Sequence, residues 1–214
     1  MFKQKKQINS RMRTDIDQIK SDFASITPIL KDIALKIEAN LVEIFENIEH
    51  IDKVSSRPKG EESFLNKAIK EVEGVLKYPV PLKEIQDLIG ARVVVYYKTD
   101  VGNIVSIIKK WFNMVEETNI VPDDISKFGY EGLHFICFIP NAINENHKSN
   151  LLVPDFFELQ IKTLYQHAWS QAEHGLGYKP EVPLGDEEQR KLAFIAAQSW
   201  GADTILTELV NSKN

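Results

Sequence analysis

From Asp15 to about Ile48 apolar residues recur every three or four positions, at Ile16, Ile19, Phe23, Ile26, Ile33, Ile37, Leu41 and Phe45 among others. That spacing lines one side of a helix and predicts a helical N-terminal third given over to core or interface. Pro28, after Thr27, is expected to open a second helix at its first turn. Residues 53–60 lack a period and read as a loop. Helical spacing resumes from Glu61 to Lys77 through Phe64, Ala68, Val72 and Val75. Pro79 and Pro81 end it, and Leu82 to Leu88 reads as a short helix. Ile89 to Tyr97 is a β-branched run apolar on both faces, as in a central strand. Val101 to Phe112 is an amphipathic helix with Trp111 and Phe112 expected in the core, followed by a polar stretch from Glu116 to Lys127. Leu133 to Ile139 and Phe157 to Leu164 read as strands. Leu164 to Tyr178 reads as a helix with Trp169, Ala172 and Leu176 on its apolar side, and Asp186 to Val210 as a long helix burying Trp200.

Chemistry-bearing residues fall at informative places in this pattern. Alternate side chains of a strand share a face, so Glu158, Gln160 and Lys162 project together while Leu159 and Ile161 point the other way. Asp87 immediately precedes the central strand and Arg92 lies within it. The two differ in strand parity, so Asp87 is expected ahead of the regular strand, with Gly90 allowing a bend. An arginine on a buried strand is costly unless it meets an anion, a ring or a nearby acid. Arg57 and Lys59, with Lys67 one helical turn after Ser63, are cations able to converge on a polyphosphate, or to sit solvated at the surface. Gly129 and Gly132 flank Tyr130 in a loop suited to laying an aromatic ring on a base, a contact contributing about 1–3 kcal/mol; a tyrosine packed on its own loop is the alternative. His167 and His174 are seven apart and lack the spacing of a zinc motif.

Composition narrows the class. The 214 residues carry a net charge of −5, with 43% hydrophobic and 27% charged positions, ordinary for a globular chain and unlike a general nucleic-acid coat. Met1 to Arg13 is the exception, holding Lys3, Lys5, Lys6, Arg11 and Arg13 without an acid, either a solvated terminus or a binding arm. No apolar run approaches a membrane span and no signal-peptide core opens the chain. The single cysteine, Cys137, excludes an internal disulfide and reads as a buried thiol, consistent with the cytoplasm.

Four ordered blocks resemble one family. "SSRPKGEESFLNKAIK" from Ser55, "IQDLIGARVVVYY" from Ile85, "FGYEGLHFICF" from Phe128 and "FELQIKTLYQHAWSQAEHGLGYK" from Phe157 together resemble the synthetase domain of the RelA/SpoT family, over roughly residues 50 to 180. The resemblance implies an α+β fold, a mixed sheet of about five strands flanked by helices and similar to nucleotidyltransferases. The expected division is 1–50 as a helical region, 51–180 as the synthetase core and 181–214 as a packed C-terminal helix. It implies a pyrophosphokinase that moves the pyrophosphate of ATP to the 3′-hydroxyl of GTP or GDP, making (p)ppGpp with Mg²⁺ as cofactor. Glu158 and Asp87 are then the catalytic and metal-holding acids. Arg57, Lys59, Ser63, Lys67, Arg92 and Lys179 are expected on ATP. Lys127, Tyr130, His134, Gln160, Lys162 and His167 are expected on the acceptor.

The departures concern the acceptor. The family commonly carries several basic residues before the tyrosine loop, where this chain has Asp123, Asp124, Ile125 and Ser126 before Lys127, and Lys162 stands where an arginine is usual, losing a bidentate fork. A toxic branch that shares Gln166-His167-Ala168-Trp169 pyrophosphorylates the 3′ end of tRNA and halts translation, with the basic N-terminus as an RNA contact and an antitoxin protein as a partner. A nucleotide-binding module without catalysis is the third reading. No His-Asp dyad of the hydrolase half is present, no regulatory domain is expected, and a homo-oligomer is compatible with the terminal helices.

Overall fold

The computed structural model describes residues 2–124, 127–177 and 184–213, with the side chains of residues 2–14 outside that description. One helix, α1 (Phe2–Ile44), spans the N-terminal third and runs straight through Pro28. The expected break does not occur. Proline removes one backbone donor and crowds the preceding turn, at a cost of about 3 kcal/mol, but burial on both sides of it is continuous: Phe23, Ile26, Leu30, Ile33, Ile37 and Leu41 are each at most 1% exposed. Pro28 itself lies on the exposed side, and the Thr27 hydroxyl donates to the Phe23 carbonyl at 2.8 Å.

Among the described residues seven strands and six further α-helices follow. They are β1 (Ile51–Pro58), α2 (Glu61–Ala68), β2 (Glu71–Val72), β3 (Val75–Leu76), α3 (Pro81–Glu84), β4 (Ile89–Val95) and α4 (Val101–Trp111), then β5 (Met114–Ile120), β6 (Gly132–Phe138), α5 (Asn141–Asn144), β7 (Phe156–Thr163), α6 (Leu164–Gly177) and α7 (Asp186–Asn211). Five strands form a mixed sheet in the order β1-β4-β7-β6-β5, so the expected α+β architecture holds. Edge strand β5 pairs antiparallel with β6, placing Thr118 opposite His134 and Ile120 opposite Gly132.

Three local expectations are corrected. Residues 53–60 are mostly strand rather than loop: β1 lies at the sheet edge and is nowhere fully buried, so it shows no hydrophobic alternation. The helix from Glu61 stops at Ala68, and Glu71 to Leu76 forms a two-stranded hairpin whose turn residues Glu73 (φ 53°) and Gly74 (φ 79°) are both left-handed, the geometry a two-residue hairpin needs. The polar stretch after α4 contains β5, five of whose seven residues are exposed, again an edge strand without a pattern. Among side chains, Trp111 (58% exposed), Trp200 (45%) and Leu176 (59%) are not in the core, and Ala172 is exposed too.

The chain falls into two compact units, one of residues 1–40, 56–91 and 138–158, the other of residues 41–55, 92–137 and 159–214. In the first, Phe23 and Phe64 stack at 4.1 Å between ring centres with 10° between planes. Leu82, Ile85 and Leu88 are buried there too, and the Ser56 amide donates to Glu38 Oε2 at 2.7 Å. In the second, Val93, Val95, Ile104, Ile108, Phe135, Leu159 and Ile161 are buried and α7 packs on α6. Cys137 is fully buried as expected, and burial pushes its thiol up to about 12. Among the described residues no helix is long and apolar enough to cross a membrane.

Phe64→Ala removes a fully buried ring and its stacking partner's contact. Urea unfolding is expected to show a loss of about 3–5 kcal/mol.

Candidate functional site

The end of β1 and the approach to β4 are tied by the Lys59 amide, which donates to the Leu88 carbonyl at 2.8 Å. This holds Lys59 beside Asp87, which does precede the regular strand. Lys67 arrives from the last turn of α2. Lys59 Nζ donates to Asp87 Oδ2 at 2.7 Å and Lys67 Nζ to Oδ1 at 2.9 Å, so each carboxylate oxygen meets its own ammonium. Burial pulls the Asp87 carboxyl upward, yet hydrogen bonds and charge from Lys59 and then Lys67 outweigh it and hold its pKa below the usual value. Asp87 is therefore an anion whose counter-charges sit on flexible stems able to turn to a phosphate. Lys67 also lies 5.8 Å from the Tyr78 ring centre. Ser63 is half-buried one turn before Lys67, Arg57 is exposed on β1, and Glu158 is half-buried on β7. All of these belong to the first unit.

The second unit holds the other predicted residues. β7 passes directly into α6 through Thr163, whose hydroxyl accepts from the Gln166 amide at 3.1 Å while Gln166 Oε1 accepts from the Thr163 amide at 3.0 Å. This reciprocal cap fixes where α6 starts. The first turns of α6 then meet two cations. Arg92 donates from one guanidinium nitrogen to His167 Nδ1 and to Gln171 Oε1, both at 3.2 Å. Arginine only donates, so Nδ1 must accept and the neutral ring carries its proton on Nε2. Burial, followed by the charges of Arg92, Lys162 and Lys53 and against Asp52, holds His167 below its ordinary value of 6.5. Lys162, only 3% exposed, donates to Ser170 Oγ at 3.2 Å, and Ser170 donates to the His167 carbonyl at 3.0 Å.

Lys162 also lies over the Tyr130 ring, 4.4 Å from its centre. The Tyr130 hydroxyl and His134 Nε2 are 2.6 Å apart, and the ring tilts toward Trp169 at 6.4 Å. A Cβ at position 132 would come within 2.8 Å of that hydroxyl, so glycine there is what admits the ring. Tyr130 is thus half-buried and packed on Lys162 and His134. Gln160 is half-buried on β7 and Lys127 is exposed before the loop; Lys179 lies outside the described residues, as do the side chains of the basic residues 3–13.

The structure thus gathers Lys59, Lys67 and Asp87 in one cluster, and Tyr130, His134 and Lys162 in another. His167, expected on the acceptor, hydrogen-bonds Arg92. Gln171, which follows His167 by one helical turn on the same polar row, was given no site role and joins it on Arg92. Among the described residues there is no group of three or more histidine, cysteine or acidic side chains able to hold a metal. Mg²⁺ commonly takes one or two carboxylates and completes its shell with phosphate and water. An ionised Asp87 and the half-buried Glu158 fit that donor chemistry.

A family model described as a region found in RelA / SpoT proteins matches residues 56–182. The chain is 27% identical over 182 residues to GTP pyrophosphokinase YjbM of Bacillus subtilis (strain 168), covering 83% of this chain and 80% of that one. It is 28% identical over 144 residues to GTP pyrophosphokinase YwaC of the same strain, covering 66% and 64%. Its fold is similar to that of small alarmone synthetase 2 from Bacillus subtilis, with TM-score 0.71 at 21% identity over 89% of this chain and 99% of that one. It is also similar to small alarmone synthetase 1 from that organism bound to its product pppGpp, with TM-score 0.64 at 19% identity over 93% and 98%.

Since the folded chain takes up the His167 proton only below 6.5 while an unfolded histidine takes it near ~6.5, the unfolded state binds more protons just below that value. The contribution of neutral His167 is present above the ordinary value and is lost as pH falls beneath it. His167→Gln is expected to flatten that slope in urea unfolding followed across mildly acidic pH, and NMR should place the ring's titration below 6.5.

Proposed function

This chain belongs to the RelA/SpoT family, and on that premise we propose that it transfers the pyrophosphoryl group of ATP to the 3′-hydroxyl of GTP or GDP, making (p)ppGpp. The observation that carries the reading is Asp87 held as an anion between Lys59 and Lys67. An acid kept ionised beside two redirectable ammoniums suits a metal–polyphosphate complex and serves no evident purpose in packing. The relatives named GTP pyrophosphokinase support the same chemistry.

In this reaction the acceptor's hydroxyl oxygen attacks the β-phosphorus of ATP in line. The bond from that phosphorus to the oxygen bridging it to the α-phosphorus breaks, and AMP leaves carrying the bridging oxygen. Such displacements ask the protein mainly for positioning and charge neutralisation. Lys59, Lys67 and Arg57 neutralise the donor's phosphates, and Ser63 adds a hydroxyl contact. Arg92, its guanidinium oriented by His167 and Gln171, offers a flat cationic face to the adenine. Tyr130 offers its ring to the acceptor's guanine, with Lys162 on the ring and His134 on its hydroxyl setting its tilt. Asp87 and Glu158 would hold Mg²⁺, which when bound supplies neutralising charge at the phosphate oxygens. Glu158 takes the proton from the attacking hydroxyl, while Gln160 and Lys162, two and four residues further along β7, line the acceptor's side. By the family resemblance Lys127 serves the acceptor and Lys179 the ATP.

One observation favours a second acceptor. The residues described ahead of the tyrosine loop include exposed Asp123 and Asp124, with Lys127 the cation that follows. This is a poor setting for the 5′-phosphates of a free nucleotide, and a tRNA 3′ end with its own contacts elsewhere escapes that demand.

Incubating the chain with γ-labelled ATP, Mg²⁺ and either GDP, GTP or bulk tRNA is expected to label the guanosine nucleotides. Label on tRNA alone would move the assignment to the second reading, and no label on any acceptor would reduce the chain to a nucleotide-binding module. Glu158→Gln should leave the circular dichroism spectrum unchanged and remove turnover; more than about a tenth of the parent rate would exclude Glu158 as the base, since general base catalysis is worth about 10²–10⁴-fold.

A further inference from the structure

Asp203, seventeen residues into α7, is an acid in the row that carries Ala196 and Trp200, and it is 1% exposed. Its Oδ2 accepts from the Thr163 hydroxyl at 2.6 Å. Its Oδ1 is fully buried and has no hydrogen-bond partner. A buried carboxylate oxygen left without a donor is a costly arrangement that a packed helix has no reason to keep.

That oxygen's carboxylate lines a pocket of about 20 Å³, room for one group the size of a water. Its walls include Phe128, Glu131, Trp169 and Trp200. Phe128 and Trp200 meet edge-to-face, 5.8 Å between centres and 61° between planes, and both are partly exposed at the mouth. Glu131 is already met by Lys98 from the turn Lys98–Asp100, at 3.4 Å. Lys98 pairs with Glu131 and reaches Asp203 by charge alone, so an ionised Asp203 is left unbalanced. Aromatic rings around an unbalanced carboxylate attract a cation, their faces being the negative pole of the ring. Besides the two acids the walls carry the neutral oxygens of Gln166 and Ser199, and among the described residues no group of three or more histidine, cysteine or acidic side chains is placed to hold a metal. A guanidinium is wider than the space.

We propose that this pocket is a binding site for the –NH₃⁺ head of a primary amine, with Asp203 Oδ1 as hydrogen-bond acceptor and Phe128 and Trp200 as the cation-binding walls. Without an occupant the carboxyl meets its burial differently: desolvation raises its pKa, opposed by the Thr163 hydrogen bond and the Lys98 charge and assisted by Glu131. The two walls come from the tyrosine loop and from α7, so an amine seated between them clamps the loop that carries Tyr130. The same head group occurs on a lysine side chain of another protein and on a free diamine. The inference concerns binding alone and stands or falls apart from the acceptor assignment.

The test titrates the full chain with Nα-acetyl-lysine N-methylamide, with its Nε-acetylated form and with putrescine, at constant ionic strength in KCl, by calorimetry and tryptophan emission. Saturable binding of the lysine derivative, lost when its amine is acetylated, is expected. Asp203→Asn keeps an oxygen for Thr163 but turns an amide nitrogen toward the pocket, and should weaken binding about tenfold or more, the scale of a charge-assisted hydrogen bond. Trp200→Leu, a change at a part-exposed position, should weaken it as well and serves if the Asp203 variant does not fold. Putrescine binding as tightly as the lysine derivative points to a free amine, and tighter binding of the lysine derivative to a protein partner. No saturable binding, equal binding of the acetylated form, or unchanged affinity in the folded variants overturns the proposal.

Discussion

The charge of Asp87 is the constraint on which the first unit's site is organised. A mostly buried carboxylate survives as an anion only if cations reach it, and Lys59 and Lys67 do so from either side. Each is delivered by an element whose position is fixed for other reasons. Lys59 follows β1, pinned to Leu88 by a backbone bond, and Lys67 rides on α2, anchored by Phe64 on Phe23. The apolar packing of α1 thus decides where the Lys67 ammonium stands, and the bond to Leu88 where that of Lys59 does. Removing one lysine would leave a buried charge half-compensated, a larger disturbance than the loss of a surface ion pair.

In the second unit the corresponding role falls to the junction of β7 and α6. Thr163 is at once the last residue of the strand, the cap of the helix and the donor to Asp203. Because the helix starts at a fixed residue, His167 and Gln171 face Arg92, and Ser170 meets Lys162. Lysine at 162 donates to Ser170 and lies on the Tyr130 ring, contacts of a compact ammonium that a planar fork would not reproduce.

Much of this was legible in the chain. Apolar period placed α1, α4, α6 and α7, a β-branched run placed β4, and the alternation of Glu158, Gln160 and Lys162 with Leu159 and Ile161 placed β7 and set their common face before any coordinates. What escaped were elements whose residues are not sorted by burial. β1 and β5 are edge strands, so a period had nothing to record. The Glu71–Leu76 hairpin was hidden because Val72 and Val75 also fit a helical row; the Glu-Gly pair between them was the overlooked sign. Pro28 misled because local propensity was weighed without the continuous burial that overrides it. Asp203 was visible only as a polar residue in an apolar row, a signal that acquires meaning once its partner Thr163 is known.

The thiol of Cys137, sealed in the sheet and pushed up to about 12 by burial, is out of reach of maleimides. With one native cysteine in the sequence, a second introduced on the tyrosine loop would be the sole site to accept a fluorophore. Motion of that loop can therefore be followed by a single dye without first stripping the native residue from the core.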